Sequence, residues 1–476
     1  MQKSLKNWIQ NKMGKYYNEV LFRNAFILWF LLFPFDANVL PFSIGFMTIY
    51  PYLFLTFFLL GYSFLSTPKE QPEKSDKFVI GFFFLWVIYG MFFSLFVVEK
   101  SYAYYEIRSL ILMSVTVWLL FRIKYLFGAK YFFKILHQLS LFLFIVLTVF
   151  AFFEFFTGIH FSGKHTEKLW SLPIELFSYA PVFLYDNPNN FLSYFFGLVI
   201  IIILCDIQLN NKPFKILLII SILFFFAFVS DSKFGKIAVL LLLLSFIINN
   251  ISLKAIASCK KYFLWTAVVV ICLLLCFISK PLYFGSLWEN AEHYFVKSIN
   301  PVEIKNNQMV FYSSDSLVKH FGENKVANSF YDYQMQNILY STEVRKNLLK
   351  NGWYLTKQSK FIGVGPAQFR WYHQKRLVPF PTTTVDSPHD GLMEILSQYG
   401  LPIFIPFIFI FIFYWFKAFR NRKSNWNYFN FITVCFLLFI IVSDMPSAFL
   451  NLNIGWILIP VLLISSSQLH KENNVY

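Results

Sequence analysis

Four short polar stretches in an otherwise apolar chain of 476 residues carry side chains able to do acid–base or anion chemistry. The richest runs from Asp386-Ser387-Pro388-His389-Asp390-Gly391 to Gly400-Leu401-Pro402. Asp386 or Ser387 can cap a helix with Pro388 in its first turn, Leu392, Ile395, Leu396 and Tyr399 recur at helical spacing, and Gly400 with Pro402 ends the run. His389 is thereby expected in the first turn, leaning toward the buried face. A helix N-terminus disfavours imidazolium and so keeps a neutral ring available as a base near pH 7. On local grounds alone, an interfacial or capping histidine is the plainer reading.

The second stretch is Arg345-Lys346-Asn347-Leu348-Leu349, followed by Gly363-Val364-Gly365-Pro366-Ala367-Gln368-Phe369-Arg370. Its first part reads as a helix lying on a membrane and the glycines as a tight turn leading away. Arg345 could there be a cation for phosphate or simply a side chain reaching up to headgroups. The turn lacks the lysine and serine of a P-loop, so it is weak evidence for phosphate binding. The third stretch, Ser230-Asp231-Ser232-Lys233-Phe234-Gly235-Lys236, is a polar turn between two very apolar runs, and the fourth is Asp186-Asn187-Pro188-Asn189-Asn190 at a span start. Two lysines in the third break the charge trend of that side and hint at an anion. Helix capping explains most of the fourth.

These residues must be positioned by membrane helices. Hydrophobic residues make up 57% and charged residues 14%, with a mean hydropathy of +0.55, which excludes a soluble globule, a disordered chain and a disulfide scaffold. The five cysteines, in or beside apolar runs and without a CxxC, offer neither a zinc site nor a disulfide framework. Continuous runs such as Phe78 to Val98 indicate helices rather than a barrel. The fold expected is an all-α transmembrane bundle of about twelve spans: roughly 24–38, 43–66, 78–98, 105–121, 136–157, 188–206, 216–230, 236–252, 262–279, 401–419, 427–443 and 448–467.

Lysines and arginines set the orientation. Lys3, Lys6, Lys12, Lys15 and Arg23 precede the first span, with no cleavage site after it. Alternate connections then hold Lys69/Lys74/Lys77, Arg122/Lys124/Lys130/Lys134, Lys212/Lys215, Lys254/Lys260/Lys261 and Lys417/Arg420/Arg422/Lys423. Both termini are expected in the cytoplasm and the one long polar segment, about 280–388, outside as a small helical cap, with helical stretches around 331–360. Three parts follow: a bundle of about nine spans over 1–279, the loop over 280–388, and a His-led helix with the last spans over 389–476. The net charge of +16 is accounted for by this topology and implies no nucleic acid.

Taken together, the four stretches resemble the O-antigen ligase and polymerase family of bacterial polytopic membrane proteins. The resemblance rests on Pro188-Asn189 at a span start, Ser232-Lys233 in the turn between two spans, the Arg345-led helix running into Gly363-Val364-Gly365-Pro366, and the His389-led helix ending at Gly400. It covers roughly 180–420. The family's turn usually carries arginine; Lys233 keeps the charge but loses two-pronged phosphate recognition, so Lys236 or Arg370 could share its task.

The resemblance implies a metal-independent glycosyltransferase without cofactor in the bacterial cytoplasmic membrane. A glycan linked through pyrophosphate to a polyprenyl carrier would pass to an acceptor sugar hydroxyl, with membrane lipid and a chain-length regulator as further partners. His389 would take the hydroxyl proton, Arg345 and Lys233 would offset the charge of the leaving pyrophosphate, and Lys236, Arg370 and Asn189 would help bind it. Asp390 and Glu394 could orient the histidine but read as helix-start or surface residues. A polymerase joining repeat units leads, followed by a ligase moving the glycan to a lipid core or a protein. A transporter or flippase would need ionisable residues within spans, and the spans read as nearly free of charge.

Overall fold

The computed structural model describes residues 20–33, 42–157, 188–250, 302–311 and 344–468, less short gaps at 45–46, 67–68, 210–213, 231, 306–307, 383–384, 421–425, 446–447 and 452, together with 181 and 183. The helices in chain order are α1 (Val20–Leu32), α2 (Pro51–Leu65), α3 (Lys74–Ser94), α4 (Lys100–Phe127), α5 (Ala129–Thr157), α6 (Pro188–Gln208), α7 (Phe214–Val229) and α8 (Lys233–Asn250). They continue with α9 (344–358), α10 (Gln368–Gln374), α11 (Gly391–Arg420), α12 (Trp426–Ser443) and α13 (Asn453–Gln468). Among the described residues five helices, α3, α4, α5, α6 and α11, are long and apolar enough to cross a membrane, and six more apolar helices are shorter. The expected span 262–279 lies outside the described residues.

The expectation of an all-α fold holds, with one local addition. Two short antiparallel hairpins are present, β1 (Phe42–Ile44) with β2 (Met47–Ile49) and β3 (Val302–Lys305) with β4 (Gln308–Phe311). The first occupies residues assigned from sequence to the second span, whose helix instead starts at Pro51, where a fixed φ and a missing N–H suit the first helical position.

Apolar side chains from α1 through α8 and from α11 through α13 share one core, from Phe22 to Ile464, so the C-terminal helices pack among the N-terminal ones. The end of the bundle where α3 turns into α4 carries α9 and α10. At the opposite end a buried polar network joins α3, α4 and α11. Lys124 Nζ lies 3.2 Å from Asp76 Oδ2, the Tyr125 and Tyr414 hydroxyls also donate to Asp76, and Lys417 pairs with Glu73 at 2.9 Å.

This network corrects two readings. Arg122 and Lys124 are not in a connection: α4 runs on to Phe127 and stops at Gly128, whose φ is 89°. Arg122 caps α2 instead, donating from Nε and Nη2 to the Ser63 carbonyl at 3.1 and 2.9 Å. Nor are the helices free of ionisable groups. His137 Nε2 lies 2.8 Å from Asp206 Oδ1, Glu106 accepts from the Tyr399 hydroxyl, and Glu154 accepts from the Phe183 amide at 2.8 Å.

Candidate functional site

The helix that follows His389 begins three or four residues later than its sequence suggests. Asp390, not Asp386 or Ser387, caps α11, its Oδ1 accepting the Met393 amide at 2.8 Å. His389 therefore precedes the cap and lies outside the first turn, with a left-handed φ of 51°. That conformation costs a residue with a Cβ roughly 1 kcal/mol or more and is concentrated at functional sites. Burial, together with the Arg345 charge, pushes the imidazole down to about 4, with Asp386 pulling the other way. The ring is therefore neutral near pH 7, through desolvation and a nearby cation rather than a helix dipole. Its Nδ1 is buried and makes no hydrogen bond among the described residues, leaving capacity for a partner that arrives with a substrate.

Arg345 reaches this place because α9 is tied to the irregular segment leading to His389. Asn351 Nδ2 donates to the Phe380 carbonyl at 2.7 Å while its Oδ1 accepts the Phe380 amide at 3.0 Å, and Asn347 Nδ2 donates to the Pro381 carbonyl at 3.0 Å. One face of α9 thus fixes 380–381, and Arg345, two residues before Asn347 at the start of the same helix, is carried along. Its guanidinium stacks over the Phe234 ring, 5.4 Å from the centroid. Phe234 follows Lys233, the first residue of α8, whose cap is Ser232, with Oγ accepting the Gly235 amide at 3.1 Å. The Arg345-led helix, the His389 segment and the Lys233 turn therefore converge at one end of the bundle.

The structure adds a residue that the sequence did not single out. Asp444, just past α12, accepts the Gly391 amide at 3.2 Å and the Ser443 hydroxyl at 3.2 Å. Burial and the Asp390 charge push its carboxyl up to about 7, opposed by those hydrogen bonds and by Arg345. Burial also lowers the Arg345 pKa, and Asp444 opposes that. Arg345 thus couples electrostatically to both the imidazole and the carboxylate. The signal available in sequence was an acid in a short link between apolar runs, which is also how an ordinary helix-end residue looks.

Other expected residues have different occupations. The Gly363–Pro366 turn is a helix stop, not a phosphate cradle: the amides of Val364 and Gly365 donate to the carbonyls of Ser397 and Gln398 at 3.0 and 2.9 Å, where α11 breaks at Gly400. Arg370 is half-exposed and held by Asp386 at 2.9 Å over the Tyr102 ring. Lys236 sits in the first turn of α8, its amide donating to the Ser232 carbonyl at 3.0 Å. Asn189 lies in the first turn of α6, its carbonyl accepting the Ser193 hydroxyl at 2.7 Å. Neither Arg370 nor Asn189 is drawn to His389, Arg345 or Asp444 by a described hydrogen bond or ion pair.

Glu394, read as a surface residue, is buried: its Oε2 accepts the amides of Phe449 and Leu450 at 2.8 and 3.3 Å. His373 is structural, its Nδ1 donating to the Phe369 carbonyl at 2.8 Å while Nε2 accepts from Asn351 at 3.0 Å. Among the described residues no group of three or more His, Cys, Asp or Glu side chains converges as a metal-ligand set would.

Comparison with known proteins agrees with the motif reading. The O-antigen ligase family model matches residues 216–408, a range that includes Lys233, Arg345 and His389 but neither Asn189 nor Asp444. The teichuronic acid biosynthesis protein TuaE of Bacillus subtilis (strain 168) is 26% identical over 155 residues, which is 31% of this chain and 30% of that protein. No solved structure matches. Across residues 216–408 this membrane protein is therefore similar to the O-antigen ligase family.

Proposed function

We propose that the chain is a glycosyltransferase of surface-polysaccharide synthesis that joins polyprenyl-pyrophosphate-linked repeat units at the outer face of the bacterial cytoplasmic membrane. The observation that carries this reading is the convergence of His389, Arg345 and Asp444 beside the Lys233 turn. The family domain and the name of the B. subtilis relative support the substrate class. The acceptor hydroxyl oxygen forms its bond to the anomeric carbon as the bond from that carbon to pyrophosphate breaks, and the electron pair leaves with the lipid. The hydroxyl proton passes to His389. Arg345, with Lys233 as a point charge, offsets the charge that builds on the leaving group in a desolvated cleft. An anion arriving at Arg345 also masks the cation that depresses the imidazole, so substrate binding strengthens the base.

In this reading the excess of lysine in alternate connections keeps both termini in the cytoplasm, and 280–388 forms the extracytoplasmic loop. The family description favours a second acceptor, a lipid core or protein that receives a finished glycan. A transporter is disfavoured because Asp76, Glu106, His137, Glu154 and Asp206 are each engaged within the protein. The test is purified protein with a lipid-linked repeat unit and no added metal, comparing wild type with His389→Ala and Arg345→Ala. Equal product from all three removes the site assignment. Gene deletion separates the acceptors: single-repeat surface glycan marks a polymerase, and long chains stranded on the carrier mark a ligase.

A further inference from the structure

The face of α9 turned away from Asn347 and Asn351 has no role in the reaction above. Its exposed positions are Lys346, Leu349, Lys350, Trp353, Tyr354 and Lys357, spaced three and four apart along one side, and the exposed stripe continues through Lys360, Phe361 and Ile362. Residues 344–362 contain five basic side chains and no acidic one. Trp353 anchors the stripe, with Lys357 Nζ 5.3 Å from its ring and Phe361 against its edge at 6.0 Å. Long cationic stems alternating with Trp, Tyr and Leu are the composition that lies in a headgroup layer, rings at the acyl boundary and charges on phosphates.

The surroundings indicate what covers this face. The Tyr89 hydroxyl of α3 donates to the Ile362 carbonyl at 2.7 Å, so the end of the stripe abuts α3. There α3 presents Ile88, Met91 and Phe92 outward, and the turn after it presents Leu95 and Phe96, all exposed. A bilayer that covers the α3 flank continues without interruption onto Ile362, Phe361 and Trp353. We infer that the exposed face of α9 is a docking surface for anionic phospholipid headgroups of the leaflet adjoining this end of the bundle. Each basic residue near such a surface strengthens the association by roughly fivefold. Because Arg345 opens the same helix, the docked face sets the height of its guanidinium above the acyl chains. The inference holds whether or not the chain is a transferase.

The experiment uses the full chain in nanodiscs of phosphatidylcholine alone or mixed with phosphatidylglycerol, with lipids brominated near the headgroup as quenchers. The signal from position 353 is the difference in fluorescence between wild type and Trp353→Phe. It should be quenched, more strongly with phosphatidylglycerol, and the extra quenching should fade with salt. Replacing Lys346, Lys350, Lys357 and Lys360 together by Gln should abolish the phosphatidylglycerol-dependent part, and replacing them by Arg should restore it. A position-353 signal that is unquenched, or quenched equally in both discs, or unchanged by the Gln set, overturns the inference.

Discussion

Gly391 donates its amide to Asp444 Oδ1 at 3.2 Å, so the helix that begins just after His389 also holds the acid that faces Arg345 from the far side of the chain. Two ionisable groups in one pocket are pushed in opposite directions, His389 down to about 4 and Asp444 up to about 7. As pH falls, Asp444 loses its charge first, and His389 becomes protonated only well below that. The profile of kcat/KM in the free enzyme should therefore fall on the acid side near the Asp444 value. In Asp444→Asn, which mimics the protonated carboxyl at every pH, kcat/KM above that value should drop to the level that wild type shows below it, and the limb near the Asp444 value should vanish. A limb unmoved by Asp444→Asn would show that the carboxylate charge is not used.

Substituting His389 tests chemistry and backbone separately. Asparagine tolerates the left-handed conformation that the site imposes but cannot act as a base. His389→Asn should fold and bind donor normally while losing about 10²–10⁴-fold in turnover, the usual worth of a positioned base. Thermal unfolding and product formation on the same preparation check this, and near-wild-type turnover would remove the base from His389.

Arg345 should be only partly replaceable. Lysine keeps the charge without the planar fork or the stack on Phe234, so Arg345→Lys should retain more activity than Arg345→Gln. The neutral variant should lose about 10²–10³-fold in turnover, as for loss of one electrostatic contact to a leaving group. It should also raise the His389 pKa, because the cation that depresses it is gone; NMR titration of the labelled imidazole reads that shift.

Much of this arrangement was legible in the chain because membrane helices announce themselves as long apolar runs, because Lys233 stands in a short polar interruption between two of them, and because Arg345 lies within the one long polar segment and His389 just past its end. Asp444 was not, since only the fold, in which Glu394 straps the Phe449 and Leu450 amides to α11, brings it to Gly391. Glu394 resembled a surface acid because its partners, the Phe449 and Leu450 amides, lie more than fifty residues away. The pairing of Arg370 with Asp386 was not legible either: a free cation and one already held look alike in sequence. The start of α11 was misplaced because Asp386, Ser387 and Asp390 are all competent caps, and packing chose the last.

Glu394 should matter through that strap. Glu394→Gln keeps a carbonyl oxygen for the two amides and should preserve activity, whereas Glu394→Ala leaves them buried and unpaired at a cost of about 1–3 kcal/mol. Hydrogen exchange at Phe449 and Leu450 should rise in the alanine variant alone, together with loss of activity. Unchanged exchange would show that the strap is held by other contacts.

The helix stop formed by the glycine turn should be intolerant of side chains. Gly363 has a φ of 97°, and a Cβ there would stand 2.4 Å from the Gln398 carbonyl oxygen. Gly363→Ala should lower the melting temperature, losing at least roughly 1–2 kcal/mol to backbone strain before the clash is counted. A melting temperature equal to wild type would mean that the turn relaxes freely.

Val344, Leu348, Leu355 and Phe369 form a small apolar nucleus of their own, lined by Val364, Tyr372, Val378 and Val385 and separate from the large core of the bundle. Such a self-contained unit can be recut, lengthened or decorated without unpacking the scaffold beneath it. Descendants of one ancestral scaffold could then diverge in whatever their caps admit while His389 and Asp444 stay in register.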